Sequence, residues 1–340
     1  MKLVVAVSVL GVAAALVYGL VQPWAGSGPR WDGARADARR LHESVLALVA
    51  LGPRHDQAGM ARAAEWIRAQ LAALGLASTT QDYRFANGDY RNVIVSFGPP
   101  TAQRIVVGAH YDVRGPYAGA DDNASGTAGL LELARLLRDE PPAMRTELVF
   151  YPREEVDGMG SEVHARSLAR SEVRAMIVLE MIGTFSGKQK FPLSALSLLY
   201  PKDGDYIVVV GRPRDLSLTR AVKRALASSG IPVESINAPE AIPGIGDSDH
   251  RNYWEQGMTA VMITDTAWYR NPRYHTPHDT PETLDYARMA QVVEGTAAAV
   301  HGLSAAGAGP RASAREGGGP AARQGSAAGA PQVPSRDIPR

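Results

Sequence analysis

The chain has 340 residues, 36 Lys+Arg against 35 Asp+Glu for a formal net charge of +1, 45% hydrophobic residues and no cysteine. That length suits one large domain with flanking segments, and the balanced charge lacks the electrostatic footprint of a nucleic-acid binder. Without thiols there are no disulfides, no cysteine nucleophile and no cysteine-ligated zinc, so any strong metal site must be built from histidine and carboxylate.

Met1 and Lys2 precede LVVAVSVLGVAAALVYGLV, close to the ~20 apolar residues that cross a bilayer as a helix. Residues 1–25 are therefore read as a signal anchor or signal peptide. The small-residue pattern that signal peptidase needs fits poorly at Tyr18, Leu20, Gln22 and Trp24, which favours an uncleaved anchor. Lys2 and the amino terminus favour an inside N-terminus. The expectation is a membrane-anchored chain whose catalytic domain is extracytoplasmic, periplasmic or extracellular, and secreted if the segment is cleaved.

Residues 26–33 are rich in Gly, Ser and Pro and read as a linker. A folded domain is expected over 34–304, opening with amphipathic helices over Trp31 to Leu51 and Gln57 to Leu74, the second closed by Gly75. Strands are expected at RNVIVSF from Arg91, RIVVGAHYD from Arg104, TELVFY from Thr146, AMIVLEMI from Ala175, DYIVVVG from Asp205, VESIN from Val233 and TAVMITD from Thr259. Helices are expected from Ala124 to Asp139, Ser161 to Arg170, Asp215 to Ser229 and Pro281 to about Leu303. This alternation predicts an α/β three-layer sandwich with a mixed, mostly parallel central sheet flanked by helices. The segment Gly183 to Gly204 breaks it and reads as a loop inserted near a strand end. Residues 305–340 collapse to Ala, Gly, Pro, Ser and Arg and are expected to be disordered.

Groups that can carry chemistry cluster at the predicted strand ends, where open α/β sheets bind ligands. In GAHYD, His110 and Asp112 share one face of a strand, so His110 can bind a metal while Asp112 accepts a hydrogen bond from its other ring nitrogen. In GADDNASG, Asp121 and Asp122 precede a helix; capping is the plain reading, and a carboxylate bridging two cations explains the second acid. Glu154 and Glu155 end an apolar strand, either as a solvated pair or as a metal ligand beside a general base. Glu180 sits in an apolar strand where an unpartnered charge is costly, and His275 lies in the Pro-rich loop YRNPRYHTPHDTPE. His42, His55, His164, His278 and His301 are read as surface residues.

In this order the clusters resemble the M28 family of zinc metallopeptidases, which includes bacterial aminopeptidases, glutamate carboxypeptidases and, more distantly, glutaminyl cyclases. The likeness runs from about Leu51 to Val293. It implies a zinc-dependent exopeptidase-like fold and two zinc ions per chain, with manganese or cobalt as substitutes. His110 and Glu180 would bind one ion, Glu155 and His275 the other, and Asp122 would bridge them, with the Asp121–Asp122 peptide often cis in such proteins. Glu154 would be the general base toward a metal-bridging water, and Ser248, Asp249 and His250 match an SDH motif that supports the site from behind, as Asp112 and Asp121 do.

Two departures stand out. The well-studied aminopeptidases have Asp where this chain has Glu180, and the tyrosine that some members carry shortly before SDH is replaced by Pro243, Gly244, Ile245 and Gly246. The implied activity is aminopeptidase action on peptide or aminoacyl substrates. A glutaminyl cyclase-like aminoacyl cyclase and a metal-free receptor-like binding module on the same fold are the alternatives. Side-chain preference and oligomeric state are not legible.

Overall fold

The apolar runs become the inner strands of an eight-stranded sheet in a computed structural model that describes residues 30–307 apart from Asn87, together with Gly11, Ala15 and Gly19. The expected anchor over 1–25 and the expected tail lie outside this range, save for those three residues and the last helical turn. No helix of the described residues is long and apolar enough to cross a membrane.

The strands are β1 (Thr79–Phe85), β2 (Gly88–Phe97), β3 (Arg104–His110), β4 (Arg145–Tyr151), β5 (Val173–Glu180), β6 (Ile207–Gly211), β7 (Val233–Asn237) and β8 (Ala260–Thr264), in the spatial order β1-β2-β4-β3-β5-β8-β6-β7. Pairing is parallel through β4, β3, β5 and β8 and again between β6 and β7, and antiparallel at β1–β2, β2–β4 and β6–β8. β3, β5 and β8 are buried on both faces, which is why they read as unbroken apolar runs. β1, TTQDYRF, lies on the edge with alternating exposure and too few apolar residues to announce itself.

Among residues 30–307, seven α-helices accompany the sheet: α1 (Ala38–Ala50), α2 (Gln57–Ala73), α3 (Gly126–Asp139), α4 (Met159–Arg166), α5 (Leu216–Ser228), α6 (His250–Glu255) and α7 (Tyr286–Gly307). The odd residues Ile105, Val107 and Ala109 of β3 and Ala175, Ile177 and Leu179 of β5 join the core under α1, α2, α3, α5 and α7. The even residues Val106, Met176 and Val178 join the opposite core under α4 and α6. The strand period of two thus assigns these residues to their layers. α1 begins at Ala38 rather than near Trp31, because the buried carboxylates of Glu294 and Glu132 accept the Ala36 and Asp37 amides and Asp37 then caps the helix.

Arg54, buried between α1 and α2, ties the site loops to this frame by donating to the carbonyls of Leu48, Tyr111 and Gly119. His164 corrects a sequence expectation: it is only 3% exposed, not a surface residue. On α4 it faces inward, with Nδ1 2.5 Å from the Tyr253 hydroxyl, which is 2.7 Å from that of Tyr151. Burial, aided by the Arg104 charge, lowers its pKa to about 3.

The imidazole is neutral in the fold but protonates below about pH 6.5 in the unfolded chain. Stability is therefore expected to fall as pH drops from about 6.5 toward 3. His164→Gln should flatten this slope in urea unfolding measured at pH 7 and pH 4.5, and parallel slopes for the two proteins would contradict the assignment.

Candidate metal centre

Adjacent parallel strands create the first half of the site. The register that sets Gly108 opposite Val178 places His110 beside Glu180, two residues on and on the same face. His110 Nε2 lies 3.3 Å from Glu180 Oε2 and 3.5 Å from Asp122 Oδ1. The second half comes from loops: His275 Nε2 is 3.0 Å from Asp122 Oδ2 and 3.1 Å from Glu155 Oε2. Asp122 thus belongs to both triads, and within each triad the donor atoms lie within 4.8 Å of one another. Glu154 stands beside them, Oε2 3.9 Å from His110 Nε2, and its carboxylate makes no hydrogen bond to another described residue.

Left-handed residues stand at or beside these groups: Arg153 (φ 68°) before Glu154, Met181 (φ 48°) after Glu180, and His275 itself (φ 56°). Such conformations are uncommon outside glycine and concentrate where a site dictates the backbone. The Asp pair is held from several directions. Asp279 accepts the Asp121 amide on Oδ1 and the Asp122 amide on Oδ2 at 2.9 and 3.1 Å. Asp121 points away from the triads, accepting from the Gly183 amide, the Thr184 hydroxyl and Asn271 Nδ2.

The capping role falls to Asn123, whose Oδ1 accepts the Gly126 and Met181 amides while Nδ2 donates to Leu179 O. A side chain at Gly126 would collide with Asn123 Oδ1 and Leu179 O, so glycine is required for this close docking. The cis peptide falls between Asp122 and Asn123, one bond later than the family likeness implies. Asp112 lies 3.3 Å from His110 Nδ1 and accepts the backbone amides of Glu154 and Glu155, so one carboxylate positions both clusters. Ser248 donates to Glu180 Oε2 at 2.7 Å, Asp249 is buried behind it, and His250 contacts Ile245 O on its Nε2 side.

So many acids in one place cannot all carry charge cheaply. Burial and then the Asp122 charge push Glu155 up to about 8, and burial with the charges of Glu180, Asp249 and Glu155 carries Glu154 well above the carboxylate range against the pull of His110. Asp122 is the exception: burial opposes its charge, but His275 and His110 hold it below the usual range. Both imidazoles move the other way. Burial disfavours their cationic forms, yet the facing carboxylates raise His275 to about 9 and His110 well above its ordinary value.

Among the described residues, His110 Nδ1 and Nε2, Asp122 Oδ2, Glu155 Oε1 and His275 Nε2 are buried without a hydrogen-bond partner. They approach at ion-pair distance but with poor hydrogen-bond geometry, as groups do when aimed at a common centre rather than at one another. The donor set, imidazole nitrogen and carboxylate oxygen, fits divalent zinc.

Two groups escaped the sequence reading. Asp279 was masked by its place in a loop, although HTPHD sets it four residues after His275. Tyr274 directly precedes His275 and stacks on that imidazole, ring centroids 3.6 Å apart, and it lines the cavity over the carboxylates. Burial and the charges of Asp122, Glu155, Glu180 and Glu154 push its phenol far above the ordinary range, so it remains a proton donor.

Fold and donor set define an α/β sandwich whose strand ends are suited to divalent metal. Residues 92–300 match Peptidase family M28, and the chain belongs to that family. It is 45% identical over 81% of its length to the uncharacterized Escherichia coli protein YfbL, covering 90% of that chain. It is 28% identical over 64% of its length to aminopeptidase YwaD of Bacillus subtilis, spanning 45% of that longer protein. In solved structures the fold recurs in a zinc aminopeptidase from Bacillus subtilis, with TM-score 0.65, 17% identity, 78% of this chain and 95% of that one covered. It recurs equally in the Bacteroides thetaiotaomicron glutaminyl cyclase bound to N-acetylhistamine, with TM-score 0.63, 20% identity, 79% of this chain and 99% of that one covered.

Asp279→Ala frees the two amides that set the angle of Asp122. It is expected to lower zinc affinity about 10–100-fold in competition with a chromophoric chelator; unchanged affinity would remove Asp279 from the supporting shell.

Proposed function

We propose that the protein is a zinc-dependent exopeptidase, in the first place an aminopeptidase that removes N-terminal residues from peptides. The observation that carries this reading is the sharing of Asp122 between two histidine–carboxylate triads, with Glu154 left free beside them. His110, Asp122 and Glu180 would hold one ion, and Asp122, Glu155 and His275 the second, with manganese or cobalt as substitutes. When bound, zinc supplies polarisation of the scissile carbonyl and a more acidic water.

The chain's own residues do the rest. Glu154 accepts a proton from the attacking water on a carboxylate oxygen and returns it to the nitrogen of the departing amine as the C–N bond breaks. Its raised proton affinity suits a group that must hold and then release that proton. The Tyr274 phenol donates a hydrogen bond toward the carbonyl oxygen as charge builds there, a role for which the sequence offered no residue near SDH. Asp112 keeps His110 and the Glu154–Glu155 backbone in register.

A second reading, a glutaminyl cyclase-like aminoacyl cyclase, is favoured by the fold shared with solved glutaminyl cyclases. It calls for a single zinc and for pyroglutamate formation from an N-terminal Gln peptide. Metal analysis together with that assay separates the two. We also propose that the apolar N-terminal segment anchors the chain with the catalytic domain outside the cytoplasm; recovery of full-length protein in the cytosolic fraction would refute it.

Glu154→Gln is expected to retain zinc and lose hydrolysis of aminoacyl p-nitroanilides by about a hundredfold or more. Wild-type turnover in that variant would eliminate Glu154 as the base. Tyr274→Phe should lower kcat by about 100-fold with zinc content and KM little changed, and an unaltered kcat would exclude the phenol from the reaction. A chelator should abolish wild-type activity and added zinc restore it.

A further inference from the structure

We propose that the tip of the Gly183–Gly204 insert is a membrane-contact surface: Leu193, Leu198 and Leu199 enter the headgroup layer of a bilayer, and Lys190 and Lys202 meet anionic lipid there. The proposal rests on the reading above that the apolar N-terminal segment anchors the chain, and it is independent of which reaction the metal centre performs.

Six large apolar side chains are exposed among the described residues, and three of them, Leu193, Leu198 and Leu199, fall within one stretch of the insert. Leu198 is 85% exposed, so it projects from the surface instead of lining a groove. Trp268, a fourth, precedes Tyr269, whose carbonyl accepts the Lys190 amide at the foot of the insert. Clustered apolar groups on a surface mark a place that something else covers, whereas scattered ones need no partner.

The fold holds these leucines out by construction. Backbone bonds from Gln189 to Lys202 O and from Gly204 to Gly187 O close the neck of the insert. Phe191 stacks on Tyr200 with ring centroids 6.1 Å apart, and the Tyr200 hydroxyl donates to Ser235 O at 2.7 Å. The tight turn Ser194–Leu198 buries Leu196 in this small core and leaves Leu193 before it and Leu198 at its end on the outside.

Charge names the partner. Of the five lysines in the chain, Lys188, Lys190 and Lys202 lie in the insert, all exposed, against Asp203 as its one acid, which pairs with Lys188. Protein interfaces are depleted in lysine. Apolar residues ringed by lysine, with tryptophan at the margin, are the composition of segments that lie in the bilayer interface. Lysine stems pack beside the leucines there while the ammonium groups reach lipid phosphate.

The tether brings a bilayer within reach. Residues 1–25 contain no Asp or Glu, and six residues further on the Trp31 amide donates to Ser228 O at 3.0 Å. At most about 20 Å of extended chain therefore separates the anchor from the domain. Ser228 ends α5, which leads into β7, and Ser235 of β7 is the residue that takes the Tyr200 hydroxyl. Tether and insert are thus held on one helix–strand unit, and a tip fixed this near a bilayer meets it at high effective concentration.

Because the chain has no cysteine, Ala195→Cys creates a single thiol at the tip for a polarity-sensitive fluorophore, and Ala102→Cys, exposed just before β3, creates a control at the opposite end of the sheet. Each labelled full chain is reconstituted into vesicles of phosphatidylcholine and phosphatidylglycerol, with flotation reporting attachment. The emission at position 195 is expected to shift to the blue and to be quenched by doxyl-labelled lipid, and that at position 102 to do neither. Adding Leu193→Asp and Leu198→Asp, both at exposed positions, should abolish the shift while flotation and the urea midpoint stay unchanged. Chains that float with position 195 still in water overturn the proposal and leave the anchor reading intact, as does a shift that survives the two aspartates. A shift that doxyl lipid does not quench shows a second copy covering the tip and overturns it equally. Failure of the full chain to float brings down the anchor reading and this one with it.

Discussion

Like charges gathered in a buried space repel, and the strand ends of this molecule are arranged around that constraint. Asp112, Asp121, Asp122, Glu154, Glu155, Glu180, Asp249 and Asp279 converge there. The acids that receive backbone amides, Asp112, Asp121 and Asp279, are thereby removed from competition for a cation. Of those left facing one another across His110 and His275, Asp122 and Glu155 each keep a buried oxygen without a hydrogen-bond partner. The interaction that organises the rest is the pair of contacts made by Asp122, one oxygen toward each imidazole. Divalent cations between these groups would replace mutual repulsion with attraction, which is why the donor set has a use as a metal centre and would be a liability without one.

The fold supplies what such a cluster needs, rigid and independent supports. His110 and Glu180 stand on neighbouring parallel strands at matched height, so their spacing is fixed by the sheet rather than by their own rotamers. Asp122, Glu155 and His275 come from loops, and each loop is tied elsewhere: the first by Asn123 and Asp279, the second by Asp112, the third by its own stacked Tyr274. Arg54 holds the loops bearing Tyr111 and Gly119 from beneath, and it stays charged although burial lowers its pKa to about 10, because Asp112, Asp279 and Asp122 oppose the shift. Strand ends and their loops carry the clustered acids and imidazoles, while residues of the insert between β5 and β6 line the cavity beside them.

Most of the central sheet was legible because doubly buried strands must be apolar throughout, and no other element reads that way at that length. β1 and α6 were not legible. TTQDYRF alternates on an exposed edge, and the His250–Glu255 helix is too short to show a period of 3.6. His164 was misplaced for a related reason: its burial depends on Tyr253, 89 residues away, which no local pattern reveals.

The sequence by itself determined the chemical inventory. With no cysteine, strong metal ligands had to be His and carboxylate, and acids placed at the ends of apolar strands had to lie at one edge of an α/β sheet. It also marked Gly183–Gly204 as an interruption. The tertiary structure decided which acid does what. Asp121 and Asp122 are adjacent and chemically identical, yet one accepts an amide, a hydroxyl and a carboxamide while the other faces two imidazoles, because the turn through Asn123 aims their side chains in different directions. Only the fold brings Tyr274 over the carboxylates and turns the insert's apolar residues into a cavity wall. Both outcomes depend on contacts between segments far apart in the chain, where spacing carries no information and packing alone sets the distance.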